Sequence, residues 1–241
     1  MEIIKNIVAI HQPAYLPWLG YFDKIFRSDV FIFLDTVQFE KNSFTNRNKI
    51  KTPTGALWLT IPVKIRNHTN KLLKEIEIDS TQKWVEKHLK SIHANYKKAK
   101  RFNILFPKIE NLYKVKQYDY LSDLCFDQLI FWLSELNCNK KLLRSSTLNT
   151  NGHKSDLLIN LCKTLHATKY VSGTLGKNYL ELNKFKEENI EVEFQEYEHP
   201  VYEQLWGTFL PNMSIIDFLM NTVNLKNGDG YEKNINYSST P

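Results

Sequence analysis

The sequence lacks the features that mark secreted, membrane-spanning or zinc-binding proteins. It has three cysteines, Cys125, Cys138 and Cys162, without CxxC spacing, so neither a disulfide framework nor a zinc site is expected. No stretch approaches the roughly 20 apolar residues of a membrane-spanning helix, and the first residues lack the apolar region of a secretory signal. We therefore expect a soluble, cytoplasmic protein without a metal site built from clustered His, Cys and carboxylate ligands.

The positive charge of the chain narrows the class of partner. Its 241 residues carry a formal net charge of +6, which favours a polyanion or a phosphorylated small molecule. The basic clusters at 97–101 and 140–141 have no accompanying nucleic-acid recognition motif, so a nucleotide-activated sugar or another phosphorylated small molecule is the preferred partner. Transfer RNA is kept as an alternative, and the oligomeric state is left open.

Hydrophobic periodicity predicts that the chain opens with a βαβ unit. Residues 5–10 are typical of a short buried strand, residues 20–28 have helical spacing, and residues 30–34 are typical of a second strand. The order strand, helix, strand favours a parallel pair. The predicted fold class is α/β, with a mostly parallel Rossmann-like sheet and a helical insertion or subdomain.

The rest of the pattern completes one predicted α/β catalytic domain, residues 1–224. A helical insertion is predicted at about 81–138 and a poorly ordered tail at 225–241. Ser155 is the predicted cap of a helix at 156–165. Further strands are predicted at 58–63, 76–78, 141–144, 169–173 and 190–194, and further helices at 81–98, 118–136 and 214–220.

The turn after the first strand is the densest candidate site. It holds one imidazole, His11, on a backbone constrained by Pro13, Pro17 and Gly20. The carboxyl edge of such a strand, with a helix N-terminus behind it, favours phosphate-bearing ligands. His11 is therefore a candidate phosphate contact or general acid. A proline-rich structural turn with a hydrogen-bonded histidine is the alternative.

A second candidate site follows the strand predicted at 169–173. Ser172, Gly173, Gly176 and Lys177 could form an anion cradle in which the lysine is a mobile charge. The glycine spacing is too short for a Walker A loop. The alternative is an ordinary turn between a strand and a helix, with a lysine on its surface.

Charged residues elsewhere extend the candidate site. Arg47, Lys49 and Lys51 alternate, so on an extended segment they would point the same way, toward a polyphosphate. They would equally suit the protection of an exposed sheet edge. Asp35 follows the second predicted strand, where it could orient a ribose, a metal or His11, or only cap a turn.

Two residues near the end of the chain are candidates for proton transfer. His199 and Asp217 are a histidine and a carboxylate of the kind that together abstract a proton from an amine or hydroxyl. Asp217 could instead only favour the start of its own helix.

Several blocks of the sequence resemble the WbqC-like family. The most specific block is 11–22, and others lie at 28–35, 37–39, 46–51, 58–63, 170–173, 176–180, 198–202 and 211–217, so the resemblance spans nearly the whole chain. It implies a role in O-antigen or other surface-polysaccharide assembly, with attachment of an amino acid such as glycine to an amino sugar as the suggested reaction. The predicted cofactor-binding residues lie in these blocks: Gln12, Tyr15, Trp18, Gly20, Asp35, Gln38, Arg47, Lys49, Lys51, Ser172, Gly173, Gly176, Lys177 and Tyr179.

The opening segment is also similar to HIGH-motif nucleotidylyl transferases such as pantothenate synthetase. In those enzymes two histidines near a glycine contact the phosphates of ATP. Here only His11 is present, and Tyr21, beside Gly20, occupies the position of the second histidine. The likeness is one of fold. It implies ATP with Mg, activation of a carboxylate and amide formation.

The sequence therefore predicts a transferase or ATP-dependent amide ligase. The leading hypothesis is acyl or aminoacyl transfer, glycyl among them, to a nucleotide-linked amino sugar in surface-polysaccharide biosynthesis. One alternative is a non-catalytic sugar-nucleotide binding or assembly protein that partners a glycosyltransferase. The other is a transferase that uses aminoacyl-tRNA.

Overall fold

The computed structural model describes residues 6–64 and 71–223, which divide into two compact units. The first unit contains the described residues up to Pro13, together with Gly20–Val37 and Asn139–Glu198. The second contains Ala14–Leu19, Gln38–Cys138 and the described residues from His199 onward. The predicted helical insertion at 81–138 belongs to the second unit, and the predicted tail at 225–241 lies outside the described residues.

Strands and helices alternate over residues 7–33 and 141–221, and three helices occupy residues 84–135. In chain order the elements are β1 (Ile7–His11), α1 (Leu19–Phe26), β2 (Val30–Phe33), β3 (Arg47–Thr52), β4 (Gly55–Thr60), α2 (Trp84–Tyr96), α3 (Phe102–Lys114), α4 (Leu121–Glu135), β5 (Lys141–Arg144), α5 (Lys154–Thr164), β6 (Lys169–Ser172), α6 (Leu182–Glu187), β7 (Glu191–Phe194) and α7 (Ile215–Asn221). Short 3-10 turns lie at Leu73–Glu75, Ser145–Thr147 and Thr174–Asn178.

The first unit is built on a five-stranded parallel sheet. Its strand order is β5-β2-β1-β6-β7. From β1 the chain first adds strands on one side, β2 and then β5, and afterwards on the other side, β6 and then β7. The order therefore reverses between β1 and β6, as in doubly wound folds. The predicted α/β class with a mostly parallel sheet is confirmed.

Alternating side chains bury the two faces of this sheet against different helices. Val8 lies beside Val30 and Tyr170 in the strand register. These residues share a hydrophobic core with α5 and with Phe185 of α6, whose ring stacks on Tyr170 at 5.6 Å between centroids. On the opposite face, Tyr21 of α1 packs 5.4 Å from Phe31. Because side chains alternate between the two faces of a strand, Ala9 and Phe31, which are neighbours in the register, lie on the face that α1 covers.

The second unit combines an antiparallel hairpin with four helices. Strands β3 and β4 pair with Lys49 opposite Trp58, and Gly55 adopts a φ of +115° at the turn. Helices α2, α3, α4 and α7 belong to this unit. Helix α3 was not predicted. It contains Pro107, a residue that cannot donate the usual backbone hydrogen bond and normally signals a helix end.

Three local predictions were wrong. The strand predicted at 58–63 instead spans Gly55–Thr60, where it pairs with β3 as the second strand of the antiparallel hairpin. Residues 76–78 make only isolated bridges, through Glu77 and Ile78, so they lack the paired neighbours of a strand. Ser155 does not cap α5, because the helix already begins at Lys154, and its buried hydroxyl instead accepts the backbone N–H of Glu181 at 3.1 Å.

Candidate functional site

The two predicted loops of the first unit lie on adjoining strands. β1 ends at His11 and its neighbour β6 ends at Ser172, with Ala9 opposite Val171 in the register. This is the point at which the strand order of the sheet reverses. In open α/β sheets the crevice outside the carboxyl ends of strands at such a point is where ligands bind.

His11 is an uncharged imidazole at this edge. It is half-buried, its Nδ1 donates to the carbonyl oxygen of Gln12 at 3.0 Å, and its ring lies 4.7 Å from that of Tyr21. The Tyr21 hydroxyl donates to the same carbonyl at 3.1 Å. Burial, aided by the charge of Lys24, lowers the pKa of His11 to about 3. The ring is therefore neutral near pH 7 in the free protein, and the roles of phosphate contact and general acid stay predictions.

Lys24 is the functional candidate that the sequence reasoning missed. It projects from α1, its side chain is 3% exposed, and its Nζ donates to the carbonyl oxygen of Ile10 at 2.8 Å. Among the described residues no carboxylate pairs with it, and burial lowers its pKa from 10.5 to about 7. A lysine with such a pKa can donate or accept a proton at neutral pH. Its only sequence signal is a cation within an apolar helical pattern.

Asp23, which precedes Lys24 in the sequence, forms its hydrogen bonds with other residues. Asp23 is fully buried, accepts a hydrogen bond from Arg27 Nε at 2.8 Å and another from the Gln195 amide. Gln195 also donates to the carbonyl oxygen of Gly20 at 2.8 Å, which ties the end of β7 to α1. Within α1, the role of Gly20 is therefore that of a backbone acceptor for Gln195. The arrangement leaves the charge of Asp23 balanced by Arg27 and not by Lys24.

The loop after β6 approaches Lys24 closely. A Cβ atom on Gly173 would lie 3.9 Å from Lys24 Nζ, whereas one on Gly176 would overlap the Ser172 hydroxyl. Glycine at 176 is therefore required for the loop to fold back on β6. Lys177 is exposed, with its Nζ 5.6 Å from the ring of Phe194. Tyr179 is 56% exposed at the end of the loop.

Asp35 follows β2 but faces the end of β5. It is fully buried and accepts hydrogen bonds from Arg144 Nε at 2.8 Å, Ser145 Oγ at 2.9 Å, and both the backbone N–H and the hydroxyl of Ser146. Of the roles predicted for Asp35, the capping of a turn matches these contacts. Orientation of a ribose, a metal or His11 stays a prediction.

Two predicted cofactor-binding residues of the second unit are sealed in its interior. Tyr15 is fully buried and its hydroxyl bonds His88 Nδ1 at 2.8 Å and the Tyr113 hydroxyl. Lys51 is 2% exposed and donates to Gln204 Oε1 at 3.0 Å and to the Thr208 carbonyl oxygen at 2.6 Å. Other residues of the protein already satisfy these polar groups, and the predicted cofactor contacts of Tyr15 and Lys51 stay predictions.

The other basic residues of β3 share one aromatic ring. Arg47 Cζ lies 4.5 Å and Lys49 Nζ 5.5 Å from the ring centroid of Trp58, which is 42% exposed. Trp18 is half-buried, and Phe44 lies between its ring and that of Trp58 at 5.2 and 5.8 Å. These contacts form a cationic and aromatic surface on the hairpin. Gln38 is exposed in the same unit and makes an isolated bridge to Leu72.

His199 and Asp217 do not form a hydrogen-bonded pair. Asp217 is fully buried and accepts from the Tyr96 hydroxyl at 2.7 Å, the Tyr202 hydroxyl at 2.8 Å and Gln204 Nε2 at 2.7 Å. The His199 Nε2 faces the backbone N–H of Asn212 at 3.4 Å, and burial lowers its pKa to about 4. These contacts make Asp217 an acceptor that holds α7, and proton abstraction by the two residues stays a prediction.

Two further classes of site are not found in the part of the chain that the structure describes. No three His, Cys, Asp or Glu side chains within 6–64 and 71–223 are grouped so that they could hold a metal ion. Within the same ranges, every helix is too short or too polar to cross a membrane.

The fold and the site define an α/β protein with a doubly wound parallel sheet and a buried lysine at its switch point. The chain belongs to the WbqC-like protein family, whose model matches residues 12–226, which confirms the family predicted from the sequence blocks. It is 36% identical over 215 residues to "Uncharacterized protein Rv1507c" of Mycobacterium tuberculosis (strain ATCC 25618 / H37Rv), which covers 89% of this chain and 93% of that protein. No solved structure matches the chain.

Proposed function

We propose that the protein transfers an acyl or aminoacyl group, glycyl being the simplest, to the amino group of a nucleotide-linked amino sugar. The reaction would belong to the cytoplasmic stage of O-antigen or related surface-polysaccharide assembly. The observation that carries the proposal is Lys24, buried without a carboxylate partner among the described residues, beside His11 at the switch point of the sheet. Strongly perturbed ionisable groups in such a position are typical of reactive sites.

Amide formation needs a base, and Lys24 has the chemistry for it. The amine nitrogen of the sugar bonds the acyl carbon, the bond from that carbon to its leaving group breaks, and the amine loses a proton. Because burial lowers the pKa of Lys24 to about 7, a large fraction of its side chain is the uncharged amine at neutral pH. The amine can accept that proton. The neutral ring of His11 adds no second positive charge beside it.

ATP with Mg belongs to the proposal as the source of activation. When bound, ATP would supply the phosphate leaving group that makes a carboxylate reactive. Lys24 and the exposed Lys177 fit a phosphate at this edge. The buried carboxylates of the same unit, Asp23 and Asp35, each already pair with an arginine, so a Mg ion would be held by phosphate oxygens and water.

The test is product formation by the full chain and by Lys24→Met. Purified protein is incubated with ATP, Mg, glycine and a nucleotide-linked amino sugar, and the amide product is measured by mass spectrometry. We expect Lys24→Met to lose at least about a hundredfold in rate, the usual size of general acid–base catalysis. Lys163→Met, which removes an exposed lysine of α5, is the matched control and should keep the wild-type rate.

The alternative functions predict different results in this assay. Binding of the nucleotide-linked sugar without any product would favour a non-catalytic assembly protein. Product formed only with aminoacyl-tRNA, in place of ATP and the free amino acid, would favour the tRNA-dependent transferase. A rate for Lys24→Met equal to wild type would remove Lys24, and with it the argument for this site.

A further inference from the structure

A pocket lies wholly within the second unit, at the open end of the β3–β4 hairpin. It has a volume of about 290 Å³ and is formed where residues 39–42 meet the start of β3 and the chain that leaves β4, residues 60–63. Its polar lining includes Lys41, Asn46, Arg47 and Thr60. Because this volume lies at the bottom of the usual range for small-molecule sites, the pocket suits one compact ligand.

Two buried polar atoms at this pocket have no partner among the described residues. Asn46 is 8% exposed, and its Nδ2 donates to the carbonyl oxygen of Ile61 at 2.9 Å, which sets the orientation of the amide. Its Oδ1 accepts no hydrogen bond, and the Nε of Arg47 donates none. Buried polar groups are nearly always satisfied, so an unpaired acceptor and an unpaired donor on two residues that line the same pocket indicate a ligand that supplies their partners.

The charge at the pocket selects the kind of ligand. Lys41 and Arg47 line it, and the described lining contains no acidic residue. The Arg47 guanidinium is held in place, because one of its terminal nitrogens donates to the Asn42 carbonyl oxygen at 2.6 Å and its plane lies over the ring of Trp58. A fixed guanidinium and a mobile ammonium together suit a phosphate group.

We propose that this pocket binds a monosaccharide phosphate. The phosphate is bound by Arg47, through its Nε, and by Lys41. A sugar hydroxyl donates to Asn46 Oδ1, the acceptor that the protein itself leaves unpaired. The inference uses only residues of the second unit and does not rest on the reaction proposed for the first. The same phosphosugar could arrive as a free sugar phosphate or as one half of a nucleotide-linked sugar.

Calorimetric titration of the full chain tests the proposal with four probes. They are glucose 1-phosphate, UDP-glucose, inorganic phosphate and glucose, at constant ionic strength. We expect saturable binding of glucose 1-phosphate, weaker binding of inorganic phosphate and no binding of glucose. Arg47→Gln and Lys41→Gln should each weaken glucose 1-phosphate about tenfold, the effect of losing one charge-assisted hydrogen bond.

The controls separate the pocket from general charge and from misfolding. Lys74→Gln removes one positive charge from an exposed position of the same unit and should leave binding within about twofold of wild type. Lys41 is exposed, so Lys41→Gln should fold normally even where Arg47→Gln does not. Weaker binding of both glucose 1-phosphate and UDP-glucose to Lys41→Gln supports the pocket and a nucleotide-linked source. Weaker binding of glucose 1-phosphate alone supports a free sugar phosphate.

Two results would overturn the proposal. One is the absence of glucose 1-phosphate binding at millimolar concentration. The other is binding that Lys41→Gln and a folded Arg47→Gln leave unchanged, since a phosphate bound elsewhere would not sense either residue.

Discussion

At the scale of single residues, the decisive feature is a lysine whose charge is opposed by its surroundings. Lys24 and Lys177 belong to the same unit, yet one is 3% exposed and the other lies on the surface. Burial disfavours the charged form, which is why the pKa of Lys24 falls to about 7. A position that costs folding energy in this way is expected where chemistry requires it.

This cost makes a prediction about stability and pH. Between pH 7 and 9 the unfolded chain keeps the proton of Lys24, because its pKa there is 10.5, while the folded protein has largely released it. The free energy of unfolding of the wild type should therefore rise with pH, by up to about 1.4 kcal/mol per pH unit from this group. Urea denaturation at pH 7, 8 and 9 measures the slope.

Lys24→Met provides the comparison. It should lack this rise and unfold at pH 7 with equal or greater free energy than the wild type, since an apolar side chain of similar length needs no desolvation. Equal slopes for the two proteins would show that Lys24 titrates in its ordinary range and is not desolvated.

Asp217 is a buried carboxylate whose pKa burial raises, although hydrogen-bond donors surround it. Its three hydrogen bonds come from Tyr96, Tyr202 and Gln204. Asp217→Asn replaces one acceptor oxygen by a donor that faces other donors, so we expect a loss of about 1–3 kcal/mol in the free energy of unfolding. Denaturant melts measure this loss.

The matched control is Asp156→Asn, whose carboxylate is exposed and pairs with Lys184. It should change stability by less than about 1 kcal/mol, as exposed ion pairs do. An Asp217→Asn protein as stable as wild type, with only its activity lost, would instead support the catalytic role predicted from the sequence.

At the scale of elements, the close return of the loop after β6 places a structural demand on one glycine. The turn Thr174–Asn178 folds back so that Gly176 lies against the side chain of Ser172, with Leu180 also near. Gly173 precedes the turn, where a Cβ would meet only Lys24 at an ordinary contact distance. The two glycines, similar in the sequence, therefore have different tolerances.

Gly176→Ala should lower the free energy of unfolding by about 1–3 kcal/mol, the cost of an overlap that moves neighbouring atoms. Gly173→Ala, three residues earlier, should cost less than about 1 kcal/mol, because its new methyl group enters available space. Thermal melts of the two variants measure the difference. Equal melting temperatures would mean that the loop does not approach β6 as described.

At the scale of the whole molecule, three buried or half-buried histidines set the response to acid. Burial lowers the pKa of His11 to about 3, and those of His88 and His199 to about 4, from an ordinary value of 6.5. Below pH 6.5 the unfolded chain binds protons at these positions that the folded protein does not bind. Each therefore favours unfolding as the pH falls.

We expect the free energy of unfolding to fall steadily from pH 6.5 to about pH 4, by up to about 1.4 kcal/mol per pH unit for each histidine. Urea melts at pH 6.5, 5.5 and 4.5 measure the fall. His11→Gln should reduce the slope, whereas His153→Gln, at an exposed position, should not. A slope unchanged in His11→Gln would mean that its imidazole is protonated in the folded state.

Local pattern by itself determined the βαβ opening, the α/β class and the family of this protein. The strands with Ala9 and Phe31 are continuous apolar runs, as buried parallel strands are, and the helix with Phe22 shows helical spacing of its apolar residues. The candidate edge at His11 followed from the end of the first strand.

Only the tertiary structure decided which polar groups are buried and what satisfies them. Lys24, Asp35 and Asp217 lie in segments that the sequence describes correctly as helices or strand ends. Their partners are set by contacts between segments far apart in the chain: Asp35 with Ser145, 110 residues later, and Asp217 with Tyr96, 121 residues earlier. Burial of a charge depends on what covers it from a distance, and short-range periodicity carries no information about that cover.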